Sequence, residues 1–189
     1  MTLQRMVLTA VLIGGPAWFG CSARRVDVAS LQRPERAAEL DAFDAFVGNW
    51  KWTATMEVGE SSETWSGTSR WSWTLDKRCL QGQMTTRSAN QEYETVGLWG
   101  WNAKQKQYEW SMFNSWGYPQ VGTADYDASD KSWTLKYRSV GMDGTTSYGR
   151  MGLTIVDANT MDWTMTEWAD PLHLVKKMRL TGRFTRENP

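Results

Sequence analysis

One histidine and two cysteines are the whole stock of imidazole and thiol groups in 189 residues. A hydrolase triad needs a base beside its nucleophile, and no Gly-x-Ser-x-Gly turn occurs to present one. The usual zinc sets need clustered Cys, His or carboxylate ligands, which His173, Cys21 and Cys79 do not supply. An excess of one charge is missing too. The 21 Lys and Arg balance the 21 Asp and Glu, so there is no basic footprint for nucleic acid. No helix-period segment interrupts the chain after residue 48, which removes βαβ units as the main architecture. These absences assign the chain no catalytic residue, no metal and no cofactor, and the expectation is that it is not an enzyme.

What the chain has instead is 13 Trp and 10 Met. Residues 43–58 hold a short helical lead-in, a break at Gly48 and then strict alternation. Trp50, Trp52, Ala54, Met56 and Val58 fall in one phase; Lys51, Thr53, Thr55 and Glu57 fall in the other. Successive strand side chains point to opposite faces, so one face is apolar and the other wet. Turn chemistry then recurs about every ten residues, the spacing of an all-β barrel or sandwich. It predicts strands over 49–58, 65–75, 79–87, 92–101, 106–114, 119–127, 131–139, 145–156, 160–168 and 172–185.

Most of these segments have a readable inward face. Trp71, Trp73 and Leu75 agree, as do Tyr108, Trp110 and Met112. So do Trp133, Leu135 and Tyr137, then Met151, Leu153 and Ile155, then Met161, Trp163 and Met165, then Met178, Leu180 and Phe184. In 92–101, Trp99 and Trp101 are opposed by Val96 and Leu98. A long antiparallel meander removes its edges best by closing on itself. The predicted fold is all-β: an antiparallel up-and-down barrel of about ten strands, with a short N-terminal helix.

The N-terminus has a different character. Arg5, an apolar run from Met6 to Phe19, and Gly20-Cys21-Ser22 form a signal peptide over residues 1–20, too short for an ordinary membrane span. Gly before Cys fits lipoprotein processing, in which the Cys21 thiol is acylated and becomes the mature N-terminus. Trp18 and Phe19 stand where smaller aliphatic residues are usual, and ordinary cleavage after Ala23 is the alternative. Either route exports the chain and leaves Cys79 without a disulfide partner. Residues 21–33 read as a tether. The domain then runs over 34–189, opening on an amphipathic turn or two of helix that carries Leu40, Phe43, Phe46 and Val47.

Several stretches carry a resemblance. FVGNW at 46–50 resembles the Gly-x-Trp entry of lipocalins and related calycin barrels. From about 43 to 187 the chain resembles the bacterial domain of unknown function 1579, a lipocalin-like family. The matching pieces are FVGNW, DKRCLQG at 76–82, GLWGWNAKQKQYEW at 97–110, GTADYD at 122–127 and MRLTGRFTRE at 178–187. The resemblance implies a calycin-type barrel and no assigned activity. Haem-binding barrels of the nitrobindin type use one axial His. The entry strand here departs from theirs, and His173 alternates with the mostly outward set Val175, Lys177, Arg179 and Arg183, so haem is not expected.

Three side-chain groups remain. Asp125, Asp127 and Asp130 have calcium-like spacing but lack the glycine and distal glutamate of a calcium loop, and they read as a hairpin turn. Glu167 shares phase with Met165. With Asp170-Pro171 as turn centre, it lies opposite Leu174 and diagonal to Lys176, close enough for these two charges to satisfy each other or anchor a polar head near a rim. The aromatic wall is the third group. The candidate ligand-binding set is therefore Trp52, Trp73, Trp99, Trp110, Trp133, Trp163, Met165, Glu167 and Lys176. The expected function is an exported, lipid-anchored β-barrel of the bacterial cell envelope that binds a small apolar or amphipathic molecule, held to the membrane through Cys21. The alternatives are a packed structural or protein-interaction barrel with no ligand, and a soluble secreted or periplasmic location. Nothing in the sequence fixes an oligomeric state.

Overall fold

The computed structural model describes residues 32–141 and 144–187. The expected signal peptide over 1–20, Cys21 and most of the expected tether lie outside the described residues. The chain divides into two units, 1–34 and 35–189, and the second contains every strand of the described residues.

Ten strands follow one another: β1 (Gly48–Val58), β2 (Ser61–Thr74), β3 (Cys79–Arg87), β4 (Glu92–Asn102), β5 (Gln107–Asn114), β6 (Pro119–Asp127), β7 (Ser132–Val140), β8 (Thr146–Asp157), β9 (Thr160–Trp168) and β10 (Lys176–Arg186). Each pairs antiparallel with the next, and β10 returns to pair with β1, so the sheet is a closed up-and-down barrel with no free edge. The alternating apolar residues point inward and the Lys, Arg and Thr phases outward.

The phase conflict in β4 resolves in favour of its tryptophans. Trp99 is 8% exposed, whereas Val96 and Leu98 are 47% and 44% exposed. Register explains the choice, because Trp99 pairs with Leu80 on one side and Trp110 on the other, both inward. The larger ring has more apolar surface to remove from water.

Two strand starts differ from the sequence expectation by four residues; the other limits agree to within one. β2 begins at Ser61 rather than 65, because Gly59, at φ +60, makes a tight turn with Glu60. β10 begins at Lys176 rather than 172. The Asp170 carboxylate accepts the backbone N–H groups of Leu172, Leu174 and Val175, which winds that segment into a loop. Leu75 and Val58 also leave the inward face. Leu75 opens the left-handed β2–β3 turn at φ 50, and both are exposed.

The lead-in is a 3₁₀ helix, Ala38–Phe46, not an α-helix. Its buried residues, Leu40, Phe43 and Phe46, are spaced by three, which stacks them along one face of a three-residue-per-turn helix. That face plugs one end of the barrel. The Phe43 ring stacks on Trp133 at 5.3 Å and meets Tyr108 edge-on at 5.2 Å. The Tyr108 hydroxyl donates to Glu39 O at 2.7 Å, and burial pushes its pKa up to about 12.

A helix C-terminus leaves carbonyls without partners. Here Arg186 supplies them: its guanidinium donates to Val47 O and Ala45 O while lying 4.1 Å over the Trp50 ring. Gly48, at φ +132, then turns the chain into β1.

Candidate functional site

Above the plug the barrel is hollow. A cavity of about 190 Å³ runs from Phe46 toward the opposite rim, which it reaches at Asn114, Tyr118 and Gln120. Its lower wall is aromatic: Trp52, Trp71, Trp99, Trp110 and Trp163. A belt of methionines follows, Met84, Met112, Met151 and Met165, and then a polar collar that includes Thr86, Tyr93, Thr95 and Tyr137.

Space for these rings comes from glycines. Trp52, Trp71, Trp110 and Trp163 pair in register with Gly67, Gly82, Gly122 and Gly182 on the neighbouring strands, and Met112 pairs with Gly97. A Cβ at 67, 82, 122 or 182 would come within 3.0 Å of its partner's ring. Each of these four indoles therefore lies over a strand position that has no side chain.

Behind the collar, against Tyr137 and not in the cavity lining itself, lies the one buried charge of the interior among the described residues. Glu167 is 7% exposed. Its Oε1 accepts the Tyr137 hydroxyl at 2.8 Å. Burial pushes the Glu167 carboxyl up from its ordinary value, against the opposing pull of the Tyr137 hydrogen bond and the Lys177 charge. Burial likewise drives Tyr137 well above the usual tyrosine range, with the Glu167 charge adding to it, so Tyr137 stays a donor.

A bulge sets the cation. Lys176 pairs with Trp168 and Met178 with Glu167, so Lys177 is the extra residue on β10. Bulges re-aim side chains. The Lys177 ammonium crosses the rim and donates to Ser147 Oγ at 3.0 Å, and Ser147 is itself buried on the inward face of β8.

Comparison with known proteins bears on this architecture. No family model and no curated protein matches the chain. Solved structures do. The crystal structure of Rv2717c from M. tuberculosis matches with a TM-score of 0.61 and 12% identity, over 82% of this chain and 100% of that one. The S-type phycobiliprotein lyase CPES from Guillardia theta matches with a TM-score of 0.55 and 9% identity, over 82% and 95%. Both likenesses are of fold.

Of the residues singled out in the sequence, Trp52, Trp99, Trp110, Trp163 and Met165 come together around the cavity. Trp73 and Trp133 point inward but pack on the plug, at 6.2 and 5.3 Å from the Phe43 ring, and Trp73 Nε1 donates to Asp44. They do not line the cavity. Glu167 is inward and buried, two residues beyond Met165 on the same face. Lys176 is a correction: it is exposed, Glu167 faces Met178 rather than Leu174, and the ammonium near Glu167 belongs to Lys177. The extra residue shifts the alternation by one.

His173 lies in the exposed β9–β10 loop with its ring stacked 4.2 Å from Trp168. Asp127 caps its own hairpin turn, accepting the Ser129 N–H and hydroxyl, and Asp130 accepts the Ser132 N–H. Among the described residues no group of three His, Cys, Asp or Glu is placed to hold a metal. Cys79 is half-buried, and burial pushes its thiol up rather than toward a reactive thiolate. Sequence reasoning missed the inward glycines and the collar threonines. Both sit in the inward phase of their strands, and that phase was the available signal.

Proposed function

We propose that this barrel is a binding module of the bacterial cell envelope, exported and lipid-anchored through Cys21, that takes one small apolar or amphipathic molecule through its collared end. Membership in the domain of unknown function 1579 family is part of the proposal. The observation that carries it is the cavity. A barrel with this many Trp and Met could have packed solid, yet four of its indoles lie over glycines and about 190 Å³ stays open.

The chemistry of the wall supports the same reading. The apolar lower wall would hold an apolar body by burial, at roughly 25 cal/mol per Å² before ordering costs. Methionines re-pack easily around different shapes. The collar offers hydroxyls for a polar end, with a buried carboxyl behind Tyr137 and a lysine at the rim.

The test is a titration of the full chain with fatty acids, phospholipids, isoprenoids and small glycans, followed by intrinsic fluorescence and thermal shift. A ligand should perturb the cavity indoles and saturate at one equivalent. No saturable response from any class would leave a structural or protein-interaction barrel as the better account.

A further inference from the structure

Beyond the cavity, we infer that the open end of the barrel docks on a lipid surface carrying anionic head groups, with the β9–β10 loop as its inserted tip. The observation is where the chain leaves its large apolar side chains exposed. β1 starts at the plugged end, so the connections that follow odd-numbered strands all lie at the opposite, open end. Among the described residues, Val58, Phe113, Trp116, Leu172, Leu174 and Val175 are exposed at that end, against Leu75 and Val156 at the plugged one. Apolar groups exposed singly need no explanation, whereas groups gathered at one place mark an interaction site.

The β9–β10 loop concentrates them. Leu172 and Leu174 are 76% and 78% exposed, and Val175 is 58% exposed. The loop is built to hold them out. The Asp170 carboxylate accepts the N–H groups of Leu172 at 3.0 Å, Leu174 at 3.0 Å and Val175 at 2.7 Å, and the Asp170 carbonyl accepts that of His173 at 3.2 Å. Every backbone N–H from Leu172 to Val175 is therefore paired inside the loop. An apolar medium offers backbone groups no partner, so a segment that enters one must bring its hydrogen bonds with it. This loop does.

The β5–β6 turn, four strands away around the ring, meets the same requirement. Ser115 N–H donates to Glu94 O, Gly117 N–H to Asn114 O, and the N–H groups of Trp116 and Tyr118 to Asn114 Oδ1. Trp116 is 42% exposed, and its ring lies 4.5 Å from that of Tyr93 in the collar. Tryptophan settles at the boundary between head groups and acyl chains. The cavity reaches the rim beside this turn, at Asn114, Tyr118 and Gln120, so a rim seated on a bilayer opens the cavity toward lipid.

Charge selects the surface. Lys176 and Lys177 follow the tip directly, and Lys176 is exposed. The loop's own carboxylate, Asp170, is occupied by backbone N–H groups. Elsewhere at this end Glu92 pairs with Arg87 at 3.0 Å and Glu57 stands opposite Arg179 in register, while Glu60 lies in the β1–β2 turn, two strands round from the tip. Lysines beside an exposed apolar segment favour anionic lipid.

The test uses the chain from Ser22 onward, which keeps every described residue and omits the expected leader and acylation site, so neither can hold the protein to lipid. Cosedimentation is measured with vesicles of phosphatidylcholine alone and of phosphatidylcholine mixed with phosphatidylglycerol. The wild type should bind the mixed vesicles more tightly, and high salt should remove the difference. The double substitution Leu172→Gln with Leu174→Gln leaves the loop's backbone bonds in place and should lower binding about 10-fold or more. Leu75→Gln, at a leucine 64% exposed at the plugged end, should not.

Brominated lipids give a second readout: they should quench wild-type tryptophan fluorescence, and Trp116→Phe should remove most of that quenching. No binding to either vesicle, equal binding to both, or an equal loss from Leu75→Gln would overturn the inference. So would a chain that ignores vesicles and forms a dimer that the double substitution dissociates, which would give the rim to a second copy.

Discussion

Tyr137 on β7 hydrogen-bonds Glu167 on β9 across a whole intervening strand, at 2.8 Å. The span exists because the register partner of both residues on β8 is Gly149. A Cβ there would stand 1.9 Å from Tyr137 Cζ. Gly149→Ala must therefore push the ring aside and leave a buried carboxyl without its donor. Overpacking and the lost bond together predict a loss of roughly 2–5 kcal/mol in urea unfolding. Gly152→Ala on the same strand is the control. Its nearest neighbour would be Thr164 Oγ1 at 3.5 Å, so it should be neutral or gain up to about 1 kcal/mol. Equal effects of the two would show that the ring does not depend on this glycine.

Glu167 gives the protein a pH dependence whose sign follows from its burial. Its carboxyl is raised above the ordinary 4.5, chiefly by burial. Between the unfolded and folded values, the folded state binds more protons than the unfolded one. Stability from this group therefore falls as pH rises through that window, and the penalty is complete above the folded value. Glu167→Gln keeps an acceptor for Tyr137 and removes the charge. It should melt higher than the wild type at pH 7, with the advantage vanishing below the unfolded value. A difference in melting temperature that stays constant from pH 3.5 to 8 would contradict the buried-charge account.

Trp99 and Trp110 are register partners and stack at 5.5 Å. Truncating either ring to Ala should cost about 3–5 kcal/mol, the range for a buried aromatic. Lys104→Ala, in the exposed turn between the same strands, should change stability by less than about 0.5 kcal/mol. Denaturant midpoints for the three variants check the order. A mild Trp110→Ala would mean that the cavity collapses around the lost ring.

That pair was legible before any coordinates. The Lys104-Gln105 turn places Trp101 opposite Tyr108 and Trp99 opposite Trp110, and both pairings are observed. Alternation over ten segments likewise announced the barrel, since a period of two holds wherever one face is buried. The extra residue at Lys177 was not legible. A bulge inserts one position without any change of composition, and the phase of everything before it, Lys176 included, moves to the other face.

The inward phase of the glycines was there to read, but the task each performs was not. Gly67, Gly122 and Gly182 look like weak points within strands until register sets an aromatic ring over each. Whether the interior is filled or hollow depends on those pairings, so the cavity could not be read from one strand at a time.

The anchor is tested apart from the barrel. If Cys21 is acylated, Cys21→Ser should yield an exported chain that no longer partitions into detergent with membranes. One acyl chain binds marginally, and durable attachment needs more than one. Unchanged partitioning of the variant would remove lipidation from the proposal and leave the barrel's role untouched.

The bulge makes the last prediction sharp, because two adjacent lysines exchange roles across it. Lys176 is exposed and pairs outward beside Trp168, whereas the Lys177 ammonium turns over the rim to Ser147 Oγ, near enough to Glu167 to pull that carboxyl's pKa down. An anionic head group arriving at the collar would meet Lys177 first. Lys177→Met keeps the apolar stem and removes the charge, so affinity for an anionic amphiphile such as dodecyl sulfate should fall several-fold, while that for dodecanol, which is neutral, should not. The charge near a rim is partly screened, which sets the effect at roughly 1 kcal/mol or less, and raising salt should shrink the wild-type preference toward that of the variant. Lys176→Met should alter neither affinity. If the two substitutions weaken dodecyl sulfate binding equally, general surface charge is responsible. In that case the bulge aims nothing.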